Sequence, residues 1–417
     1  MTDKPLSPKY KWYIMILGLF TNGIVVAMPG IALSVLLPAI SRDLHLSLVQ
    51  AGLLWGMGSL PTIISSLLVG PIIDRFGPRR VLIAGCILVG LTGAMRGLLP
   101  GYAFLMLAGF LFGLFAPLVT FSNFKNAALW FPHDQQGLAN GIATLGMAAG
   151  FFGGSMISAS ILSPALGGWQ YVFFFYGAVA LVFILPWLFS RPAPAPAQAA
   201  GTSAIRISVK ESLQVLARSR NMWALSLANM AFSGGAQGII GYVPLFLQGK
   251  GWPVSSAGGV LGVFNIASMI VVLPLSLLSD RLGSKRNILI GASILSATGI
   301  SLLSFVNGAG VWIAIMMSGA VRDAFVAITL ASIYQNGGVS REYSSMALGF
   351  MMVFMGLGSL VAPPLGNSLA TSAHPGAPMV FWAGLVILGG ALLFLLPRRD
   401  AVSESLIAAI PEEVSLG

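Results

Sequence analysis

The sequence predicts an all-α integral membrane protein whose twelve transmembrane helices form two pseudo-symmetric six-helix bundles. Three observations predict it. Of 417 residues 56% are apolar and only 8% charged, with a mean hydropathy of +0.89, whereas soluble domains carry about 25% charged residues. Apolar windows long enough to cross roughly 30 Å of hydrocarbon recur twelve times. A charged string, Gly70-Pro-Ile-Ile-Asp74-Arg75-Phe-Gly77-Pro-Arg79-Arg80, returns in degraded form as Ser276-Leu-Leu-Ser-Asp280-Arg281-Leu-Gly283-Ser-Lys285-Arg286. Each copy sits where one apolar window ends and the next begins.

The windows of the first half are 12–39, 48–72, 79–99, 102–127, 138–164 and 169–190. Those of the second are 221–248, 254–278, 287–307, 309–335, 344–370 and 376–397. Residues 1–11 form a polar tail, and the run that follows is too long for a secretory signal, so it reads as a retained first span. The division is therefore 12–190 for the first bundle, 191–220 for a linker, 221–397 for the second bundle and 398–417 for a second tail. The linker opens on a Pro-Ala run, an extended spacer. Ile207, Val209, Leu213 and Leu216 then alternate with Arg206, Lys210 and Glu211, the pattern of an amphipathic surface helix.

Basic residues set the orientation. With the N-terminus inside, 17 of the 22 Lys and Arg fall on cytoplasmic segments: Lys4, Lys9, Lys11, Arg75, Arg79, Arg80, Arg191, Arg206, Lys210, Arg218, Arg220, Arg281, Lys285, Arg286, Arg341, Arg398 and Arg399. The opposite side holds only Arg42 and Lys250. This bias puts both termini in the cytoplasm, and the expected location is a bacterial inner membrane. The net charge of +10 is then a topology signal and an attraction to anionic lipid, with no call for nucleic acid. The single cysteine, Cys86, supports neither a disulfide framework nor a thiol metal site.

Other landmarks repeat with the loop. Asp74 and Asp280 differ by 206 positions, Asn22 and Asn229 by 207, and Gly141 and Gly349 by 208. Parallel six-helix halves are the construction of one large class of secondary transporters. The Gly70–Arg80 string resembles the loop signature of the major facilitator superfamily, Gly-x-x-x-Asp-Arg-x-Gly-x-Arg-Arg, and Asp280–Arg286 resembles its echo in the second half. The resemblance implies alternating access, with this loop a cytoplasmic latch of the outward-open state built from Gly70, Asp74, Arg75, Gly77 and Arg79, and more weakly from Asp280 and Arg281. Physically, Gly70 permits close helix approach and Gly77 turns the chain. Asp74 can pair with Arg75 or Arg79, or sit at a helix N-terminus for roughly 0.3–1 kcal/mol. The competing reading is a topogenic cluster that only anchors the loop.

The resemblance also implies that the first, fourth, seventh and tenth helices line a central cavity. That selects Asn22, Lys125, Asn229, Gln237, Tyr242, Arg322 and Asp323. The two charges of the tenth helix lie about 14 residues into their span, about 20 Å deep at 1.5 Å per residue. A charge there costs at least about 2.5–3.5 kcal/mol and is a functional hypothesis by default. On a helical wheel Ser318, Arg322, Thr329 and Ser332 share one side, so Arg322 aims into the cavity and Asp323 toward a neighbouring helix. Adjacent residues pair poorly on a helix surface. Two readings follow: a mutually neutralising structural pair, or a substrate-binding Arg322 beside a proton-carrying Asp323, the only acid in any span. Desolvation disfavours the charged form of such a carboxyl.

Lys125 lies in Phe-Ser-Asn-Phe-Lys-Asn-Ala-Ala-Leu-Trp-Phe-Pro, a string similar to one in the nitrate/nitrite and cyanate-type permeases. Their paired cavity arginines on the second and eighth helices have no counterpart here, which argues against nitrate. Lys125 either attracts anions into the inner vestibule or snorkels to the surface. Arg96, near the outer end of the third helix, reads as snorkelling. In the fifth helix Gly141, Gly150 and Gly154 begin the glycine pattern of drug/proton antiporters, but Ser155 stands where that pattern has Pro. Small residues there also suffice to explain the close approach of two helices, and this helix is expected to lie between the halves. Asn22 and Asn229 can hydrogen-bond substrate or each other.

No cofactor and no metal are expected: His45, His133 and His374 are far apart, and no phosphate loop is present. Nothing indicates an enzyme. The expected function is secondary active transport by a monomer, as proton-coupled uptake of a small organic anion, a carboxylate. The alternatives are proton-driven efflux of a drug or metabolite, favoured by 18 Met and 25 Phe that could line an adaptable cavity, and a non-transporting membrane receptor.

Overall fold

The computed structural model describes residues 10–98, 101–132, 135–191, 209–336 and 344–396. Residues 1–9 and 398–417 of the two expected tails and 192–208 of the linker lie outside the described residues, as do Lys4, Lys9, His133, Arg206, Arg341, Arg398 and Arg399.

All described elements are helical, as required of a chain with no water at bilayer depth to satisfy open backbone groups. In the first bundle α1 is Tyr10–Asp43, wound as a π-helix over Thr21–Ala27. Two pieces, Leu48–Gly56 and Ser59–Phe76, make α2. Next come α3 (Pro78–Leu98) and α4 (Tyr102–Trp130). Gln136–Ile157 begins α5, which continues through π-helical Ser158–Leu162, and α6 is Trp169–Phe189. The second bundle has α7 (Arg220–Gly249), α8 (Val254–Leu282) and α9 (Lys285–Leu302). It is completed by α10 in two pieces, Ala309–Ala320 and Arg322–Asn336, by α11 (Ser344–Ser368) and by α12 (Ala377–Leu395). Eleven of these are long and apolar enough on their own to cross a membrane. The twelfth, α9, opens on Lys285-Arg286-Asn287, which lowers its hydropathy without removing it from the bundle.

The sequence repeat is also a packing repeat. Gly150 of α5 meets Gly23 of α1, and Gly358 of α11 meets Met230 of α7. The pairs are related by 208 and 207 positions. Gly146, Gly150 and Gly154 of α5 therefore pack inside their own bundle, against α1, while the helix itself lies between the halves as expected, with Phe152 and Ser155 facing α8. At the bundle interface Gly258 of α8 meets the Ser155 carbonyl and Gly262 meets Phe152, while Gly52 and Gly56 of α2 meet Pro364 and Leu360 of α11.

Other contacts between the bundles lie from mid-helix toward the end opposite the Asp-Arg loops. Trp55 Nε1 donates to the Gln237 carbonyl at 2.8 Å and Asn367 Nδ2 to the Leu48 carbonyl at 2.8 Å. Ser34 donates to the Ile240 carbonyl, and Gly356 packs on Ile63. At the loop end Gly70 and Gly141 have open space where a side chain would stand. The short helix Val209–Arg218 lies at this end and buries Leu216 in the core of the second bundle.

Open and crowded glycines on one helix give a direct comparison. A Cβ at Gly150 would stand 2.6 Å from Gly23 Cα and 2.7 Å from Ala27 Cβ, whereas one at Gly141 meets nothing within 4 Å. Gly150→Ala is expected to destabilise the purified protein by roughly 1–3 kcal/mol, and Gly141→Ala to stabilise it by roughly 0.5–1 kcal/mol. Thermal unfolding of the two variants in detergent checks both signs.

Candidate functional site

A cavity of about 530 Å³ lies between the bundles, walled by Trp55, Arg96 and Phe112 from the first and by Gln237, Asn265 and Arg322 from the second. Its most charged wall forms where α10 is interrupted at Val321. Irregular backbone at this depth is tolerated where protein or a cavity surrounds it. Arg322 begins the second piece of α10, and the Asp323 amide, one of the donors freed at a helix start, donates to Ser268 Oγ of α8 at 3.0 Å.

Arg322 Nε donates to Asp323 Oδ1 at 2.9 Å and Nη1 to Asn265 Oδ1 at 3.3 Å, with the guanidinium 5.3 Å from the Phe264 ring centroid. The expectation that neighbours in sequence would not pair is corrected by the break. At the first residue of a new helical segment the arginine folds back along its own turn. Arg322 does face the cavity, and Asp323 stands against α8 through its backbone while its carboxylate turns to Arg322.

Arg96 departs furthest from expectation. It does not snorkel: it is 4% exposed, donates Nη1 to the Pro29 carbonyl at 3.1 Å and places its guanidinium carbon 3.9 Å from the Phe112 centroid. Sequence reasoning missed it because it lies three residues from the end of its span. The neighbouring Gly90, Gly93 and Gly97 were the available signal that this end of α3 is enclosed. Gly90 and Gly97 pack against α6, and Gly93 faces Phe112. Asn265 was missed because α8 carries no charge before its terminal Asp280-Arg281 to draw attention to it.

Of the residues selected for the cavity, the structure brings Gln237 and Arg322 to its wall. Asn22 instead accepts from Asn123 Nδ2 at 2.8 Å and donates to the Ala143 carbonyl at 3.4 Å, joining α1, α4 and α5 inside the first bundle. It does not meet Asn229, which is buried in the second bundle with Ser233 at 3.5 Å. The Tyr242 hydroxyl donates to the Pro375 carbonyl at 2.9 Å, and its ring meets Trp382 edge-on.

The Asp-Arg loops hold local contacts. Asp74 pairs with Lys125 Nζ at 3.1 Å, not with Arg75 or Arg79. Arg79 donates to the Trp187 and Leu188 carbonyls at 3.0 and 2.6 Å at the end of α6, and Arg286 donates to the Leu396 carbonyl at 3.0 Å beyond α12. Cations at helix C-termini are favoured, and here they repeat. Among the described residues Asp280 pairs with Lys285 of its own loop, at 3.7 Å. Arg75 packs over Phe76, and Arg281 is exposed. Gly77 and Gly283 turn the chain at φ of +82° and +63°. Gly70 has no helix against it, so in this conformation it does not serve close approach.

Residues 15–338 match the model of the Major Facilitator Superfamily. The chain belongs to that superfamily. A superfamily relative, "MFS-type transporter pynF" of Aspergillus niger, is 24% identical over 350 residues, covering 81% of this chain and 76% of that protein. "Multidrug resistance protein MdtG" of Dickeya zeae is 24% identical over 415 residues, 96% of this chain and 97% of that protein. A solved bacterial homologue of the human lysosomal transporter Spinster superposes with a TM-score of 0.78 at 16% identity, over 94% of this chain and 97% of that one. These likenesses establish a superfamily transporter and its fold.

The ion pair at the break can be tested as a unit. Arg322→Met leaves the Asp323 carboxylate without its cation. Because that carboxylate keeps 43% of its side-chain surface, the expected loss of stability is roughly 1–3 kcal/mol, below the 3–5 of a fully buried pair. The double variant Arg322→Met/Asp323→Leu is expected to recover most of it. A double-mutant cycle on melting temperature reads the coupling directly.

Proposed function

We propose that this transporter takes up a small organic anion, a carboxylate, by alternating access in symport with a proton. The observation that carries the reading is Arg322, a permanent cation at membrane depth on the cavity wall whose counter-ion, Asp323, is itself able to take a proton. An anion entering the cavity competes with Asp323 for the guanidinium. A proton taken by Asp323 frees the guanidinium for the anion, so anion and proton load together and the site crosses without an unpaired carboxylate. The similarity of Phe121–Pro132 to nitrate and cyanate-type permeases adds to the anion reading.

In this reading the Asp-Arg loops are cytoplasmic, both termini lie on that side of a bacterial inner membrane, and the conformation described here is open inward, with the bundles touching on the outer side. Asp74 and Asp280 are then held inside their own bundles, and Gly70 is free to receive the other bundle on closure. The cavity lies between the two bundles of a single chain, and the protein works as a monomer. A competing reading, drug efflux, draws on the apolar remainder of the cavity and on the Dickeya relative's name.

Uptake of labelled carboxylate into proteoliposomes, driven by an inward proton gradient, is expected to fall at least about 100-fold in Arg322→Gln, the cost of removing one desolvated charge partner. Asp323→Asn should retain anion exchange and lose gradient-driven accumulation. pH-insensitive uptake together with an intact Arg322→Gln would sink the proposal, and resistance to lipophilic cations on expression would favour efflux. For the latch, Asp74→Asn is expected to slow transport by about 5-fold or more, the scale of a modest conformational coupling, and to raise the reactivity of a cysteine introduced at Gly141. Unchanged rate and reactivity would reduce the loop to an anchor.

A further inference from the structure

We propose that Arg96 is the first anion anchor of the cavity, and that the ligand it takes is an organic anion with a single anionic head and an apolar body. The inference rests on the anion reading above and adds a binding residue to it from the other bundle.

A guanidinium has five N–H donors and no acceptor. At Arg96 one of them is bonded, Nη1 to the Pro29 carbonyl, while Nε is buried without a partner. Among the described residues no carboxylate lies within 4 Å of it. The Phe112 ring, 3.9 Å away, and the Phe173 ring, 5.6 Å away, supply the negative faces of aromatic quadrupoles and no counter-charge. Aromatic packing therefore accounts for the faces of the guanidinium and leaves its Nε edge without a partner. A cation enclosed to this degree is strongly disfavoured unless it is paired. The two arginines on the cavity wall thus differ: Arg322 already holds Asp323 and Asn265, and Arg96 holds neither an acid nor a side-chain amide. With Asp323 ionised, the cavity carries one uncompensated positive charge, and it is on α3.

The rest of the wall describes the body of the ligand. Leu54, Trp55, Ile63, Phe112, Phe121 and Met355 line the same space. Gly109, one helical turn before Phe112 on α4, leaves the wall open beside it. A second anionic group would have to displace Asp323 before it found a cation. A single head docks on Arg96 without doing so, and proton capture by Asp323 then releases Arg322 toward the same head. Cations from both bundles share the anion only after the proton has arrived, which orders loading and links it to closure.

The test uses the purified full-length protein in detergent at pH 7.5, with hexanoate, the neutral hexanamide and the dianion succinate as probes. Hexanoate is expected to raise the melting temperature of the wild type, hexanamide to leave it unchanged, and succinate to bind at least about 10-fold more weakly. In Arg96→Met, which fills the space with an apolar side chain and removes the charge, hexanoate affinity should fall about 100-fold. Arg322→Gln should lose less hexanoate affinity than Arg96→Met while failing to transport it, and a larger loss than in Arg96→Met would overturn Arg96 as the first anchor. Equal hexanoate affinity in the wild type and Arg96→Met overturns the anchor and leaves the anion reading standing. Tighter succinate binding overturns the single-headed ligand. If none of a panel of carboxylates shifts the wild type, the anion reading falls and takes this inference with it. Should Arg96→Met not fold, Arg96→Lys serves, because an enclosed ammonium loses its proton where a guanidinium does not. Its hexanoate affinity is expected to drop at least about 10-fold more than that of the wild type between pH 6 and pH 9, and identical profiles would overturn the anchor.

Discussion

A charge held at membrane depth is the constraint on which this structure depends. Lipid offers neither water nor counter-ions, so a guanidinium placed there must be surrounded by protein groups or by a cavity that a solute can fill. At Arg322 the surroundings come from three places: its own neighbour Asp323, Asn265 of α8, and the Phe264 ring. The geometry is possible only because α10 is interrupted at Val321, which lets the side chain fold back on its own turn and leaves a helix start whose freed amide finds Ser268. The break, the ion pair and the polar face of α8 are one arrangement.

The internal repeat holds the scaffold and stops at the charges. Glycine crossings recur between α1 and α5 and between α7 and α11. Arginine caps recur on α6 and beyond α12, and left-handed glycines end α2 and α8. These are solutions to packing and to open helix ends, needed equally by both bundles. The position equivalent to Arg322 in the first bundle is Phe115, and the position equivalent to Arg96 in the second is Leu303, both at the 207 offset. Each bundle thus contributes one arginine from a different helix. The loops diverge for a similar reason: Lys125 has Ser332 as its equivalent, so Asp74 pairs across helices where Asp280, among the described residues, pairs within its own loop.

The asymmetry bears on how a two-bundle carrier can move. Contacts between the bundles lie from mid-helix to the side opposite the loops, where Trp55, Asn367 and the glycines of α8 bring backbones together. They combine small residues with single hydrogen bonds, and interhelical bonds of this kind average only about 0.6 kcal/mol in membranes. Such an interface can be exchanged for one at the other end without a large barrier. The heavier packing, with Trp169, Trp187 and Trp382 fully buried, stays inside the bundles and moves with them.

Hydropathy, the repeat and the Asp-Arg motif determined the class, the helix count and the approximate limits of the spans from sequence alone, because burial in lipid is a property of composition and length. They also marked Arg322, since a charge in the middle of an apolar run is visible without coordinates. What the sequence could not decide was direction. Asn22, Asn229 and Tyr242 carry polar groups at suitable depth, and only packing showed that partners elsewhere in the chain take up Asn22 and Tyr242 and that Asn229 is enclosed within the second bundle. Lys125 had two possible fates at the end of α4, and only the approach of the α2 end assigned it to Asp74. Arg96 resembled a snorkelling side chain until α1, α4 and α6 closed around it. A polar atom's role depends on which partner stands within about 3 Å, and that distance is set by tertiary contacts between helices far apart in the chain.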